Sequence, residues 1–136
     1  MTARHPDRGF VAVEWVAAVA LLLLPVVVLV GTLPAWTARR HAATVAAQEA
    51  ARAVRFGRVT DESGALFVAR AVAGHRGVPA EDVTVQLERE GGRGGTLTVR
   101  VRMRMPAIAM PFAHGGVGRW TYTAEHHLRV DDYRSR

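Results

Sequence analysis

The sequence predicts an α+β chain: an N-terminal transmembrane helix extended into an alanine-rich helix, then a short helix and a small three-stranded antiparallel sheet. Three observations carry this reading. The run from Trp15 to Trp36 contains no charged residue. The stretch from Thr37 to Phe56 is rich in alanine and free of glycine and proline. From Leu97 to Met105, apolar and polar residues alternate without a break.

Residues 1–9, MTARHPDRG, are short, polar and basic. Residues 10–36 read FVAVEWVAAVALLLLPVVVLVGTLPAW, with Glu14 as the single charge. At a rise of about 1.5 Å per residue, the uncharged part covers a hydrocarbon core of roughly 30 Å. Trp15 and Trp36 stand at its two ends, where tryptophan suits membrane interfaces, and Trp36, Arg39 and Arg40 form the expected interface group on the far side. A cleaved secretory signal fits less well, because its apolar region is shorter and its cleavage site carries small residues. Here Leu33 or Trp36 stands three residues before the candidate junctions at Ala35 and Ala38. A buried soluble helix fits worse still, since a chain of 136 residues offers little to cover so long an uncharged run. Pro25 and Pro34 are costly inside a soluble helix but tolerated in a membrane span, where kinks are expected.

Residues 37–56, TARRHAATVAAQEAARAVRF, have high helix propensity. Ala42, Val45, Ala46, Ala53 and Phe56 fall near one face, interrupted by Glu49. Gly57 is a natural stop. The remainder, 57–136, reads as a small α+β domain. Asp61-Glu62-Ser63 opens a second helix over about 61–75, with Ala65, Leu66, Val68, Ala69, Val72 and Ala73 on its apolar side. Gly64 near its start is unfavourable, and Gly74, Gly77 and Pro79 close it.

Three strands follow. Val83, Val85 and Leu87 alternate with Thr84, Gln86 and Glu88. GGRGG at 91–95 makes a hairpin loop, after which Leu97, Val99, Val101, Met103 and Met105 alternate with Thr98, Arg100, Arg102 and Arg104. Glu88 on one strand and arginines on the next suit cross-strand pairing. Pro106 and Pro111 break the second strand, and the glycine-rich HGGVG at 114–118 leads to a third over about 119–130. There Trp120, Tyr122, Ala124, His126, Leu128 and Val130 share a face.

Net charge is +6 with a pI near 11.3, and every basic side chain is arginine, which points to a GC-rich genome. The arginines are interspersed with acids and nowhere run beyond Arg39-Arg40, so no nucleic-acid partner is expected. Cysteine is absent, which excludes disulfides, thiolate nucleophiles and cysteine zinc sites. His126 and His127 are adjacent on a strand and point to opposite faces, while His41, His75 and His114 lie in other elements, so no metal site is expected. Ser63 suits a helix cap better than a nucleophile. The glycine loops stand between strands and do not cradle phosphate. The expectation is a chain that is not an enzyme and carries no cofactor.

The distinctive string is Arg8-Gly9-Phe10-Val11-Ala12-Val13-Glu14-Trp15. A carboxylate at mid-span costs about 2.5–3.5 kcal/mol on insertion scales, and less toward the interface. Cleavage after Gly9 would give Phe10 an α-ammonium, which Glu14 of a neighbouring chain could pair with, setting the register between apolar helices. Alternatively, Glu14 lies at the interface and reaches the headgroups.

Gly9-Phe10 with Glu14 is similar to the class III/IV prepilin signal, in which a prepilin peptidase cuts after glycine. Glu14-Trp15 resembles the Flp subclass of the tight adherence (Tad) system, with tryptophan where that subclass has tyrosine or phenylalanine. The overall plan resembles the TadE-like pseudopilins, and the ending AEHHLRVDDYRSR is similar to those of actinobacterial TadE-like proteins. The resemblance implies a minor pilin or pseudopilin serving assembly of a Tad/Flp-type IV pilus or related secretion machine. The implied processing site is Gly9 and Phe10, and the implied assembly and register residues are Glu14 and Trp15. The implied partners are the membrane, the prepilin peptidase, other Tad/Flp pilin and pseudopilin subunits, and the assembly platform. The implied location is the cell membrane, single-pass, with a cytoplasmic N-terminus, an extracytoplasmic C-terminal domain, and room for a place in a surface pilus. Arg39, Arg40, Arg52 and Arg55 outnumber Arg4 and Arg8, so the positive-inside rule alone favours the opposite orientation. The other reading is an unprocessed single-pass membrane protein with an extracytoplasmic binding module.

Overall fold

The computed structural model describes residues 7–91, 95–109 and 116–129. Helix α1 runs Asp7–Arg55 without interruption, through both Pro25 and Pro34, so the apolar run and the alanine-rich segment belong to one continuous helix. Gly57, at φ +69°, ends it. The Gly57 amide donates to the Val54 carbonyl at 3.0 Å and the Arg58 amide to the Ala53 carbonyl at 2.9 Å. These are the two bonds of a Schellman stop, which the left-handed glycine makes possible.

Helix α2 spans Glu62–Gly74. Asp61 caps it, accepting from the Gly64 amide at 3.4 Å and from the Ser63 hydroxyl. Gly64 has a packing reason: a Cβ there would stand 2.5 Å from Cγ1 of Val59. A second Schellman stop follows at Gly77, φ +73°, with the Val78 amide donating to the Ala73 carbonyl at 3.1 Å. Val78 and Ala73 are both buried, supplying the apolar contact that accompanies this motif.

Strands β1 (Val83–Glu90), β2 (Thr96–Arg104) and β5 (Thr121–Arg129) form an antiparallel sheet in the order β1-β2-β5. The register pairs Val85 with Val101 and Val101 with Ala124, so the apolar halves of all three alternations share one face. Two short strands that follow β2 and precede β5 in the chain, β3 (Ile108–Ala109) and β4 (Gly116–Val117), pair with each other as a separate two-stranded sheet. The sequence reading places a strand break and a loop there. Two-residue strands are too short to show a period. The third strand begins later than expected: Trp120 precedes it, although its carbonyl still accepts from the Met105 amide at 2.8 Å. Val130 lies outside the described residues.

The chain divides into two units, one of residues 1–34 with 108–117, the other of residues 35–107 with 118–136. In the first, every residue from Ala12 to Leu23 is exposed to the surroundings, as are most of those from Leu24 to Pro34. These residues belong to α1, which among the described residues is the one helix long and apolar enough to cross a membrane. In the second, Ala42, Ala43, Ala46, Ala47, Ala50 and Ala51 of α1 cluster with Ala65, Ala69 and Ala73 of α2 and the apolar face of the sheet. This corrects the expected face of α1. Phe56 is 68% exposed, and the buried arc is wider than one stripe and includes Ala43, Ala47, Ala50 and Ala51. Alanine adds almost no bulk, so the helix is embedded along a broad side.

Candidate functional site

Gly9 and Phe10 lie at the start of α1, in helical backbone. Glu14 and Trp15 follow on the same helix, and both are exposed. Glu14 makes no ion pair among the described residues. The four residues are brought together by helical sequence spacing alone.

The expected interface residues have partners in the sheet and in the segments beside it. Trp36 Nε1 donates to the Pro106 carbonyl at 3.1 Å. Its ring lies 6.1 Å from that of Trp120, tilted by 55°, within the range of favourable aromatic pairs. Trp120 is itself held by Gly118, whose φ is +93° and whose α-carbon is so close to the indole that a Cβ would collide with it. Arg39 Nη1 donates to Asp82 Oδ2 and to the Arg104 carbonyl, both at 2.8 Å. Arg104 approaches the other Asp82 oxygen at 3.5 Å. The Arg40 guanidinium sits 5.0 Å above the Tyr122 ring, at cation–π distance. A collar of arginines and aromatics thus ties α1, within a turn of the apolar run, to one end of the sheet.

The outward face of the sheet is polar and, apart from the buried Thr98 and half-buried Arg100, exposed, and its central strand carries three arginines. Arg100 bonds Glu125 at 2.6 Å and Glu88 at 2.5 Å. The hydrogen bond that Arg100 donates to Glu125, with the charges of Glu125 and Glu88, raises the Arg100 guanidinium above its ordinary pKa. Thr98 Oγ1 and His127 Nδ1 meet at 2.9 Å in the next row. Toward the collar the pairing thins. Arg102 stands opposite Thr84 and Thr123, and Arg104 opposite Thr121. These side chains, with Glu81 and Asp82, line an open cleft of about 440 Å³. Arg102 makes no ion pair among the described residues. No group of three metal-ligating side chains converges among the described residues.

Sequence reasoning missed Asp82, Trp120 and Tyr122 as parts of the collar, because their partners are more than forty positions away in the chain. The glycine two residues before Trp120 was the only local hint of a ring folded back on the backbone. Comparison with family models, curated proteins and solved structures finds no match to this chain.

Proposed function

We propose that this chain is a minor pilin- or pseudopilin-like subunit for assembly of a Tad/Flp-type pilus or related secretion machine, a structural part and not a catalyst. The observation that carries the reading is Glu14. It is the lone carboxylate of the apolar run 10–36, exposed on α1 as are its neighbours from Ala12 to Leu23, and four residues after the Gly9-Phe10 junction. That spacing is about one helical turn, or roughly 6 Å of rise. Cleavage after Gly9 creates an ammonium at Phe10, and Glu14 of a neighbouring helix pairs with it in the membrane. The N-terminus is cytoplasmic in this reading and the sheet domain lies outside.

Mass measurement of the chain extracted from membranes that contain a prepilin peptidase tests it. The expected mature protein begins at Phe10, and Gly9→Val retains residues 1–9. An intact leader on the wild-type chain sinks the reading. Glu14→Gln is expected to be processed but to lose co-purification with other pilin helices; unchanged association would leave Glu14 as an interfacial residue only. Protease treatment of intact, wall-stripped cells is expected to remove the sheet domain, and protection would reverse the orientation. The exposed cleft favours the second reading, an unprocessed membrane-anchored binding module, and the same mass measurement separates the two.

A further inference from the structure

We infer that the collar end of the sheet is a docking surface for the phosphate headgroups of anionic phospholipids, with Arg102 and Arg104 as the contacting cations. The inference rests on the membrane span in the proposed function, and holds for either orientation of the chain. Its first support is position. Trp36 closes the apolar run, and its indole is bonded to the Pro106 carbonyl, while Arg39, one turn on, is bonded to Asp82 and the Arg104 carbonyl. The Arg104 row of the sheet therefore lies at the height of Arg39, and the Arg102 row is about 7 Å farther out by the strand rise. The headgroup layer is roughly 6 Å deep on each side of the hydrocarbon, so long arginine side chains at this height reach phosphate.

The second support is the change in pairing along β2. Arg100, farthest from Trp36, is held between two glutamates. Arg102, one row nearer, has only threonines opposite it, and those hydroxyls can donate to the same anion. Asp82 is shared by Arg39 at 2.8 Å and, more loosely, by the exposed Arg104 at 3.5 Å, so Arg102 is the cation with no carboxylate opposite it and Glu81 stands at the rim of the cleft. Trp120 completes the surface: it is 53% exposed beside Trp36, a placement that suits an interfacial aromatic.

The test uses the full-length protein in mixed micelles with equal phosphatidylglycerol and phosphatidylcholine, and native mass spectrometry to read the lipid retained. The wild type is expected to retain phosphatidylglycerol preferentially. Arg102→Gln should reduce that preference about fivefold and Arg102→Gln with Arg104→Gln about thirtyfold, from roughly 1 kcal/mol per arginine near a charged surface. Arg100→Gln should leave it unchanged. A preference that is absent in the wild type, survives in the double variant, or falls equally in Arg100→Gln overturns the docking surface while the span stands. A chain that stays in solution without detergent overturns the span and this surface together.

Discussion

Gly118 shows how much one missing side chain can decide. Its φ of +93° is one that other residues rarely adopt, and the Trp120 indole occupies the space a Cβ would take. Gly118→Ala is expected to displace Trp120 from Trp36 and to destabilise the domain by about 1–3 kcal/mol, the usual scale of enforced backbone strain; tryptophan fluorescence and a thermal melt of the full chain in detergent would report both. Arg39 makes a parallel case for burial. Its pair with Asp82 is largely shielded, at 20% and 14% side-chain exposure, whereas Arg52 and Glu49 are 64% and 41% exposed. Arg39→Gln should therefore cost clearly more than Arg52→Gln, which should stay within the ~0–1 kcal/mol of a surface pair. Asp61 sets a pH dependence. The Ser63 hydroxyl, then the Gly64 amide, holds its carboxyl below the usual range against the opposing effect of desolvation. A carboxyl lowered in the folded state stabilises above its unfolded pKa, and that contribution is lost as pH falls through the lowered folded value. Asp61→Asn keeps a capping oxygen and should remove this acid-side dependence in melts taken between neutral and acidic pH.

At the scale of elements, the alanine face of α1 sets how closely the helices and sheet approach. Ala43, Ala46, Ala47 and Ala50 are essentially without exposed surface. Added methylenes there have nowhere to go, and Ala46→Leu is expected to destabilise by about 1–3 kcal/mol. Thr44→Leu, at an exposed position on the same turn, should change the melting temperature little. The contrast checks that close packing, and not helix propensity, limits this segment. The two Schellman stops act at the same scale. They turn the chain at Gly57 and Gly77 and so deliver α2 and β1 to the alanine face.

For the whole molecule, the collar gives one helix two different surroundings. Along residues 12–34 the helix is bare or nearly so, and from Ala42 it is embedded in a small core. Trp36, Arg39 and Arg40 follow the apolar run in the chain, and each is bonded or stacked to the sheet domain. A carbonate wash of membranes checks the span directly: the chain is expected to stay with the lipid fraction, and release into the wash would count against a membrane-crossing helix.

The longer elements are legible in the sequence alone, whereas the two-residue strands β3 and β4 are not. The uncharged run, the glycine stops at 57 and 77, and the alternation from Leu97 to Met105 are local signals, set by the helical and strand periods over a few residues. They were enough for the helix–helix–sheet order and for the inward face of β2, whose alternate residues from Leu97 to Met105 are all buried. The candidate processing residues were legible for the same reason, since Gly9, Phe10, Glu14 and Trp15 are neighbours in the chain. The tertiary structure settles which side of this helix is buried, because the eight alanines of residues 37–56 are too small to mark a core face by themselves. It alone paired Arg39 with Asp82 and Trp36 with Trp120, contacts made between distant segments once the sheet has docked. The outward sheet face followed from register: a single strand shows Arg100, Arg102 and Arg104 as equivalent, and the facing strands make Arg100 neutralised and Arg102 free of acidic neighbours in its row.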